Sequence, residues 1–95
     1  MVKKTKLDAN QKKAVAALSD LKAYRTTQEM NQADFWNRYG VSQSAGSRFE
    51  CRQRSLSSPM AMLMALHHMG VISDEDLARA GAVAAELGMI ERVGH

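Results

Sequence analysis

Four polar residues at helical spacing could read the edges of nucleic-acid bases. They follow Gly40 closely and are Gln43, Ser44, Ser47 and Arg48. At ~100° per residue, a helix places these side chains and that of Cys51 in one broad sector. The opposite side carries only small or apolar residues, namely Ala45, Gly46 and Phe49. Glutamine can bond bidentately to adenine, arginine to guanine and serine to several partners, so this pattern is suited to a DNA major groove.

The residues just before this helix have the features of a helix-turn-helix. Asn31 can cap a short helix, with Asp34 three residues later as its capping-box partner. Gly40 can end that helix in the left-handed conformation, and Ser42 can cap the next helix. Two short helices joined by a three-residue turn that contains glycine form this motif.

Charge is distributed unevenly along the chain. Residues 1–54 carry six Lys and five Arg against three Asp and two Glu, a net charge of +6, whereas residues 55–95 have a net charge of −3. Such a distribution favours contact of the first half with a polyanion, although solvated surface charge is an equally good interpretation. Phosphate contacts are predicted for a set of basic and polar residues: Lys3, Lys4, Arg52, Gln53 and Arg54.

Helix signals are dense and strand signals nearly absent, which predicts an all-α, compact five-helix domain. The first helix is predicted from Asp8 to Thr26, and the second and third form the helix-turn-helix. A fourth, capped by Ser58 with Pro59 in its first turn, ends at Gly70, and a fifth follows its cap at Ser73. We predict a basic arm at residues 1–9, a DNA-binding domain at residues 10–70 and a C-terminal helical segment at residues 71–95.

The composition argues against several other classes of protein. No run approaches the ~20 apolar residues of a membrane span, and the basic N-terminus lacks the apolar stretch of a signal peptide. A lone cysteine, Cys51, cannot form an internal disulfide, so we expect a cytoplasmic protein. His67 and His68 point ~100° apart on a helix, which disfavours a shared metal. No catalytic constellation is recognisable, and we expect neither an enzyme nor a cofactor.

The last predicted helix has a stripe of small and aliphatic residues at spacings of three and four: Leu77, Ala80, Ala84 and Leu87. This stripe could pack on its own domain or form a two-fold seam between two copies. We favour the seam, because one recognition helix covers only a few base pairs and dimers that read two half-sites are the usual solution. Cys51 could be a redox switch or, more simply, an idle thiol.

The segment "NQADFWNRYGVSQSAGSRFE", residues 31–50, resembles the lambda repressor/Cro-like (XRE-type) helix-turn-helix regulators. The resemblance extends over about residues 10–70 and implies a lambda-repressor-like domain. It implies that Gln32 contacts a phosphate and braces Gln43, which reads a base together with the other exposed residues of its helix. The family also often pairs an arginine of its first helix with an acid at the end of the recognition helix, and Arg25 and Glu50 stand at those positions.

Two positions depart from that family's pattern in opposite directions. Trp36 stands where most members have a small residue, and Gly46 stands where most have a bulky aliphatic one. Because these positions face each other in the family, we predict that the indole fills the space over Gly46. Alternatively, Trp36 is exposed as an anchor for a partner, and Gly46 simply weakens its helix.

Together, these features predict a homodimeric, sequence-specific DNA-binding repressor that recognises a palindromic operator in double-stranded DNA. Family analogy suggests a plasmid- or phage-type regulator that controls its own gene. One alternative is an antitoxin-like protein that represses its operon and binds a protein partner through the C-terminal helix. Another is a protein-interaction module that has the fold but does not bind DNA.

Overall fold

The computed structural model describes residues 6–89, which contain helices and no strands. The helices are α1 (Ala9–Leu18), α2 (Leu21–Thr27), α3 (Gln32–Asn37), α4 (Gln43–Glu50), α5 (Ser58–His68) and α6 (Asp74–Glu86). The all-α prediction is therefore confirmed for this part of the chain. None of these helices combines the length and hydrophobicity that crossing a membrane requires.

The predicted helix count was wrong, because the stretch from Asp8 to Thr26 forms two helices. The chain leaves the helical conformation at Asp20, whose φ and ψ are −138° and 87°. The Asp20 carboxylate accepts a hydrogen bond from the Ala23 amide at 3.1 Å and so caps α2. Such local bonding by a short polar side chain competes with a continuous helix.

The helix-turn-helix is built by local caps. The Asn31 side chain accepts a hydrogen bond from the Asp34 amide at 2.8 Å at the start of α3. Ser42 accepts one from the Ala45 amide at 3.2 Å at the start of α4. Between them Gly40 has a φ of 75°, the left-handed conformation that glycine adopts without steric conflict. The connection runs from residue 38 to residue 42 and is longer than predicted, because α3 ends at Asn37.

The fourth predicted helix, now α5, begins one residue earlier than expected. Ser57, not Ser58, is its cap and accepts a hydrogen bond from the Met60 amide at 3.3 Å. Pro59 still lies in the first turn, where a missing amide hydrogen leaves no bond unmade.

The core lies directly beneath α3 and α4 and is rich in aromatic rings. Phe35, Trp36 and Met64 are fully buried. The Phe35 ring makes edge-to-face contacts with Tyr24, Trp36 and Tyr39, at centroid distances of 5.6, 5.1 and 5.7 Å. Trp36 in turn contacts the Phe49 ring at 5.4 Å, so all five aromatic residues of the chain form one connected cluster. Such contacts add to the burial of the rings and hold α3 against α2 and α4.

Helix α6 belongs to the same core, which corrects one of the sequence predictions. Leu77 is only 5% exposed and packs in its own domain, so it cannot contribute to a seam with another chain. Ala84 is half-buried, whereas Ala80 is exposed and Leu87 is 70% exposed. The predicted stripe is thus not one open face. The exposed apolar residues on this side are Val83 of α6 and its C-cap residue Leu87, which are four residues apart.

Candidate nucleic-acid interface

Helix α4 has one buried and one exposed side. Gln43, Ser44 and Arg48 are exposed, and Ser47 is half-buried next to them. Gly46 is buried on the opposite side of the helix. The polar residues that could read bases therefore lie where sequence periodicity predicted, on the solvent side of a helix that packs through its other side.

The buried side of α4 rests on the Trp36 indole. A Cβ atom added to Gly46 would lie 2.2 Å from both Cγ and Cδ1 of Trp36 and 2.7 Å from Cδ2. Real Cβ atoms essentially never come closer than 3.0 Å to a neighbouring heavy atom, so only glycine fits here. Because Trp36 is fully buried, the alternative in which it is an exposed anchor is wrong.

The Glu50 carboxylate joins three helices. Its Oε2 accepts hydrogen bonds from Arg25 Nε at 2.8 Å and from Trp36 Nε1 at 2.7 Å. Its Oε1 accepts hydrogen bonds from Arg25 Nη2 at 3.0 Å and from Gln32 Nε2 at 3.2 Å. We refer to Arg25, Gln32, Trp36 and Glu50 as the Glu50 cluster. The pair between Arg25 and Glu50 suggested by the resemblance is present, with side-chain exposures of 16% and 3%.

The charges in the Glu50 cluster stabilise each other. Burial raises the pKa of Glu50, but hydrogen bonds from Arg25, Trp36 and Gln32 outweigh burial and leave the pKa below its ordinary value. The hydrogen bond to Glu50 likewise raises the pKa of Arg25. Removing Arg25 would leave the buried Glu50 charge without its ion-pair partner, so this cluster fixes the geometry of α4 against α2 and α3.

Gln32 connects the Glu50 cluster to the exposed side of α4. Its amide nitrogen is bonded to Glu50, and its Oε1 accepts a hydrogen bond from Gln43 Nε2 at 3.4 Å. The predicted bracing contact between the two glutamines is therefore present. The contact of Gln32 with a phosphate stays a prediction.

Two exposed arginines and a glutamine follow the end of α4. Arg52, Gln53 and Arg54 are all exposed, and the Gln53 amide bonds to the Arg48 carbonyl at 2.9 Å. Arg52 has a φ of 61°, which is unusual for a residue with a side chain, and its Nη2 donates to the Ser19 carbonyl at 3.3 Å. The Arg54 guanidinium lies 5.8 Å from the centroid of the Phe49 ring. Lys3 and Lys4 lie outside the described residues.

A second set of polar contacts, which the sequence did not reveal, connects α6 to the helix-turn-helix. Tyr39 Oη and His67 Nδ1 are 2.8 Å apart, and His67 Nε2 and the Asp74 carboxylate are 2.7 Å apart. Arg38 Nη1 lies 3.5 Å from the same Asp74 oxygen. Burial raises the pKa of Tyr39, so its hydroxyl stays protonated. Within residues 6–89, no three His, Cys, Asp or Glu side chains are grouped to hold a metal ion.

Residues 22–67 match the RsaL-like HTH domain family. The chain contains a helix-turn-helix domain. The matched range is a little under half of the chain, and it includes the whole Glu50 cluster and the exposed side of α4. It supports a helix-turn-helix DNA-binding regulator but does not identify the Cro-like family specifically. Neither a curated protein nor a solved structure matches the chain, so the predicted lambda-repressor-like topology stays a prediction.

Proposed function

We propose that this protein is a sequence-specific transcriptional regulator that inserts the exposed side of α4 into the major groove of DNA. The observation that carries the proposal is the pairing of an exposed side, with Gln43, Ser44 and Arg48, and a buried side fixed by contacts to two other helices. Exposed polar residues on a mobile helix would read bases poorly. A rigidly held helix presents them in a fixed register, as base readout requires.

Positive charge near α4 supports contact with the DNA backbone. Arg52 and Arg54 follow the cap residue of α4, and neither forms an ion pair with an acidic residue in the described part of the chain; the neutral Gln53 lies between them. They could bind phosphates on one side of the groove while Ser47 and Arg48 contact bases. Each neutralised phosphate adds about −0.9 to the slope of log affinity against log salt, so binding should weaken steeply as salt rises.

The short length of α4 favours a dimer that binds an inverted repeat. Helix α4 has only eight residues and can contact only a few base pairs. A two-fold dimer would place two such helices about one turn of DNA, ~34 Å, apart. The exposed pair Val83 and Leu87 on α6 offers an apolar surface for the second copy. Bound at a promoter, such a dimer would act as a repressor in the cytoplasm, where the DNA lies, and by analogy would control its own gene.

The same α6 surface keeps a second candidate open, an antitoxin-like regulator. Val83 and Leu87 are 61% and 70% exposed, and a different protein could cover them instead of a second copy. The two candidates differ in the partner found on α6. A dimer of this chain alone at micromolar concentration favours the repressor, whereas a stable complex with a second protein encoded beside it favours the antitoxin.

In vitro selection of DNA from a random pool tests the proposal. We expect the wild-type chain to enrich a palindromic site, and Arg48→Ala and Gln43→Ala to lose preference at particular base pairs. Arg79→Ala is a matched control, because it also removes an exposed arginine but lies on α6 and not on α4. Failure to enrich any sequence, or equal binding by all variants, would contradict the proposal.

A further inference from the structure

We propose that Trp36 is a positioning residue for base readout: its indole N–H sets the orientation of the Gln43 amide through Glu50 and Gln32. The inference rests on the proposed function, because it assumes that Gln43 reads a base. Trp36 is fully buried and cannot touch DNA, yet under this inference it contributes to sequence specificity.

The first step is the saturation of the Glu50 carboxylate. A carboxylate has about four sites for accepting hydrogen bonds, and Arg25, Trp36 and Gln32 supply four donor groups. Oε2 is held by Arg25 and Trp36, while Oε1 is held by Arg25 and Gln32. The bond at 2.7 Å from the indole is the shortest of the four. Together with the two bonds from Arg25, it orients the carboxylate so that Oε1 faces Gln32.

The second step is the direction of the two amides. Glu50 can only accept hydrogen bonds, so Gln32 must turn its NH₂ group toward it. The carbonyl oxygen of Gln32 then points the other way, toward Gln43 Nε2 at 3.4 Å. The Gln43 amide is thereby oriented as well. The negative charge of Glu50 thus determines which atom the Gln32 amide turns toward Gln43, and through it which atom the Gln43 amide turns toward Gln32.

The third step is what Gln43 then offers to a base. One of its two N–H groups is used by Gln32, which leaves one N–H and the carbonyl oxygen for DNA. This is the pattern that pairs bidentately with adenine, whose N7 accepts and whose amino group donates. Were the amide free to flip, donor and acceptor would exchange places and the preference would weaken.

Trp36 is needed because nothing else can replace its N–H at that site. The indole is fully buried, so a ring of equal volume that lacks the N–H leaves no room for a water molecule beside Glu50. Without the N–H, the two bonds from Arg25 are the only other hold on the carboxylate, which can then swing about them so that Oε1 moves away from Gln32. The consequence should appear at the single base pair that Gln43 contacts, and not as a general loss of binding.

The test replaces the N–H and keeps the ring. Trp36 is the only tryptophan in the chain, so feeding the cells benzothienylalanine places one ring of nearly equal shape, with sulfur instead of N–H, at this position alone. Trp36→Phe is the genetic counterpart. For each protein, affinity is measured for the wild-type selected site and for every single base-pair change in it, at two salt concentrations. Gln43→Ala identifies the base pair that depends on Gln43.

We expect both Trp36 replacements to lower discrimination at that base pair by about fivefold or more, the lower end of the range for a bidentate contact. Discrimination elsewhere and the salt slope should stay unchanged. Gln32→Leu, which interrupts the hydrogen bonds between Glu50 and Gln43, should lower discrimination at that base pair to the same extent, and adding it to Trp36→Phe should lower this discrimination no further. Met64→Leu, a core substitution outside the Glu50 cluster, should leave discrimination intact.

The outcomes separate this inference from the proposed function. Should the wild-type chain enrich no site, the proposed function fails and takes this inference with it. A wild-type site with a uniform loss over all positions, or with unchanged discrimination in the sulfur analogue, overturns only the role assigned to Trp36. Because the analogue keeps the volume of the ring, the test stands even where Trp36→Phe does not fold.

Discussion

Replacing Gly46 by alanine should destabilise the protein, although alanine is the better helix former. In an exposed helix this exchange is expected to stabilise by ~1 kcal/mol. At position 46, however, the new methyl group would lie 2.2 Å from two atoms of the Trp36 ring, where 3.4–4 Å is ordinary contact. Ring and helix must therefore separate by more than an ångström.

The magnitude follows from how firmly the ring is held. Trp36 is fully buried and its N–H is bonded to Glu50 at 2.7 Å, so moving it strains the Glu50 cluster as well. Inserting a methyl group into a packed core typically costs ~1–3 kcal/mol, occasionally more. With the upper end of that range and the helix gain subtracted, we expect a net loss of about 2 kcal/mol. A domain of this size would then unfold ~10 °C lower.

Urea denaturation followed by circular dichroism measures this difference. Gly81→Ala is the matched control, because Gly81 lies within α6 and an added Cβ would meet no atom within 4 Å. We expect that variant to gain ~1 kcal/mol. If Gly46→Ala were as stable as wild type, or stabilised like Gly81→Ala, the close packing of Trp36 on Gly46 would be refuted.

Three further predictions concern the polar groups around this junction. The pKa of Glu50 lies below that of an unfolded glutamate, so the contribution of Glu50 to stability is present above about pH 4.3 and is lost as pH falls further. In Glu50→Gln, the unfolding free energy should therefore decline less steeply as the pH is lowered. Arg52→Gly should keep or raise the free energy of unfolding, because glycine tolerates the φ of 61°, yet lower DNA affinity and reduce the salt slope by about 0.9; an unchanged slope would remove Arg52 from the phosphate contacts. Tyr39→Phe leaves His67 Nδ1 without its partner and should lower the unfolding free energy by ~1 kcal/mol in urea denaturation, and no loss would mean that this bond contributes nothing.

The helix-turn-helix could be predicted because its signals are local. Asn31, Gly40 and Ser42 each act within three residues of their position, and the structure places a cap, a left-handed residue and a cap there. The break at Asp20 was missed because Leu21 and Tyr24 continue the apolar spacing of the preceding helix. Both residues are buried, so the spacing of apolar residues is the same for one continuous helix and for two helices that break at Asp20.

The polar contacts of the site were less accessible from the sequence. The resemblance to a family suggested that Trp36 and Gly46 exchange volume. The bond from the indole to Glu50 could not be predicted, because it depends on the orientation of the ring, which residue spacing does not encode. The bond between Tyr39 and His67 spans 28 residues and joins elements whose packing had to be known first. For α6, spacing gave the stripe of apolar residues, whereas only the packed helix shows that Leu77 is inside and Val83 outside.

The shared volume of Trp36 and Gly46 also restricts how such a chain can diverge. A lineage that first acquires a side chain at position 46 meets a clash with the ring, and one that first shortens position 36 opens a cavity of the kind that costs ~3–5 kcal/mol. Either intermediate is a poorly stable protein. Among descendants of this chain, the two positions should therefore be found altered together or not at all. Single substitutions should rarely lead to the arrangement with a small residue at position 36 and a bulky one at position 46, because each first step lowers the free energy of unfolding.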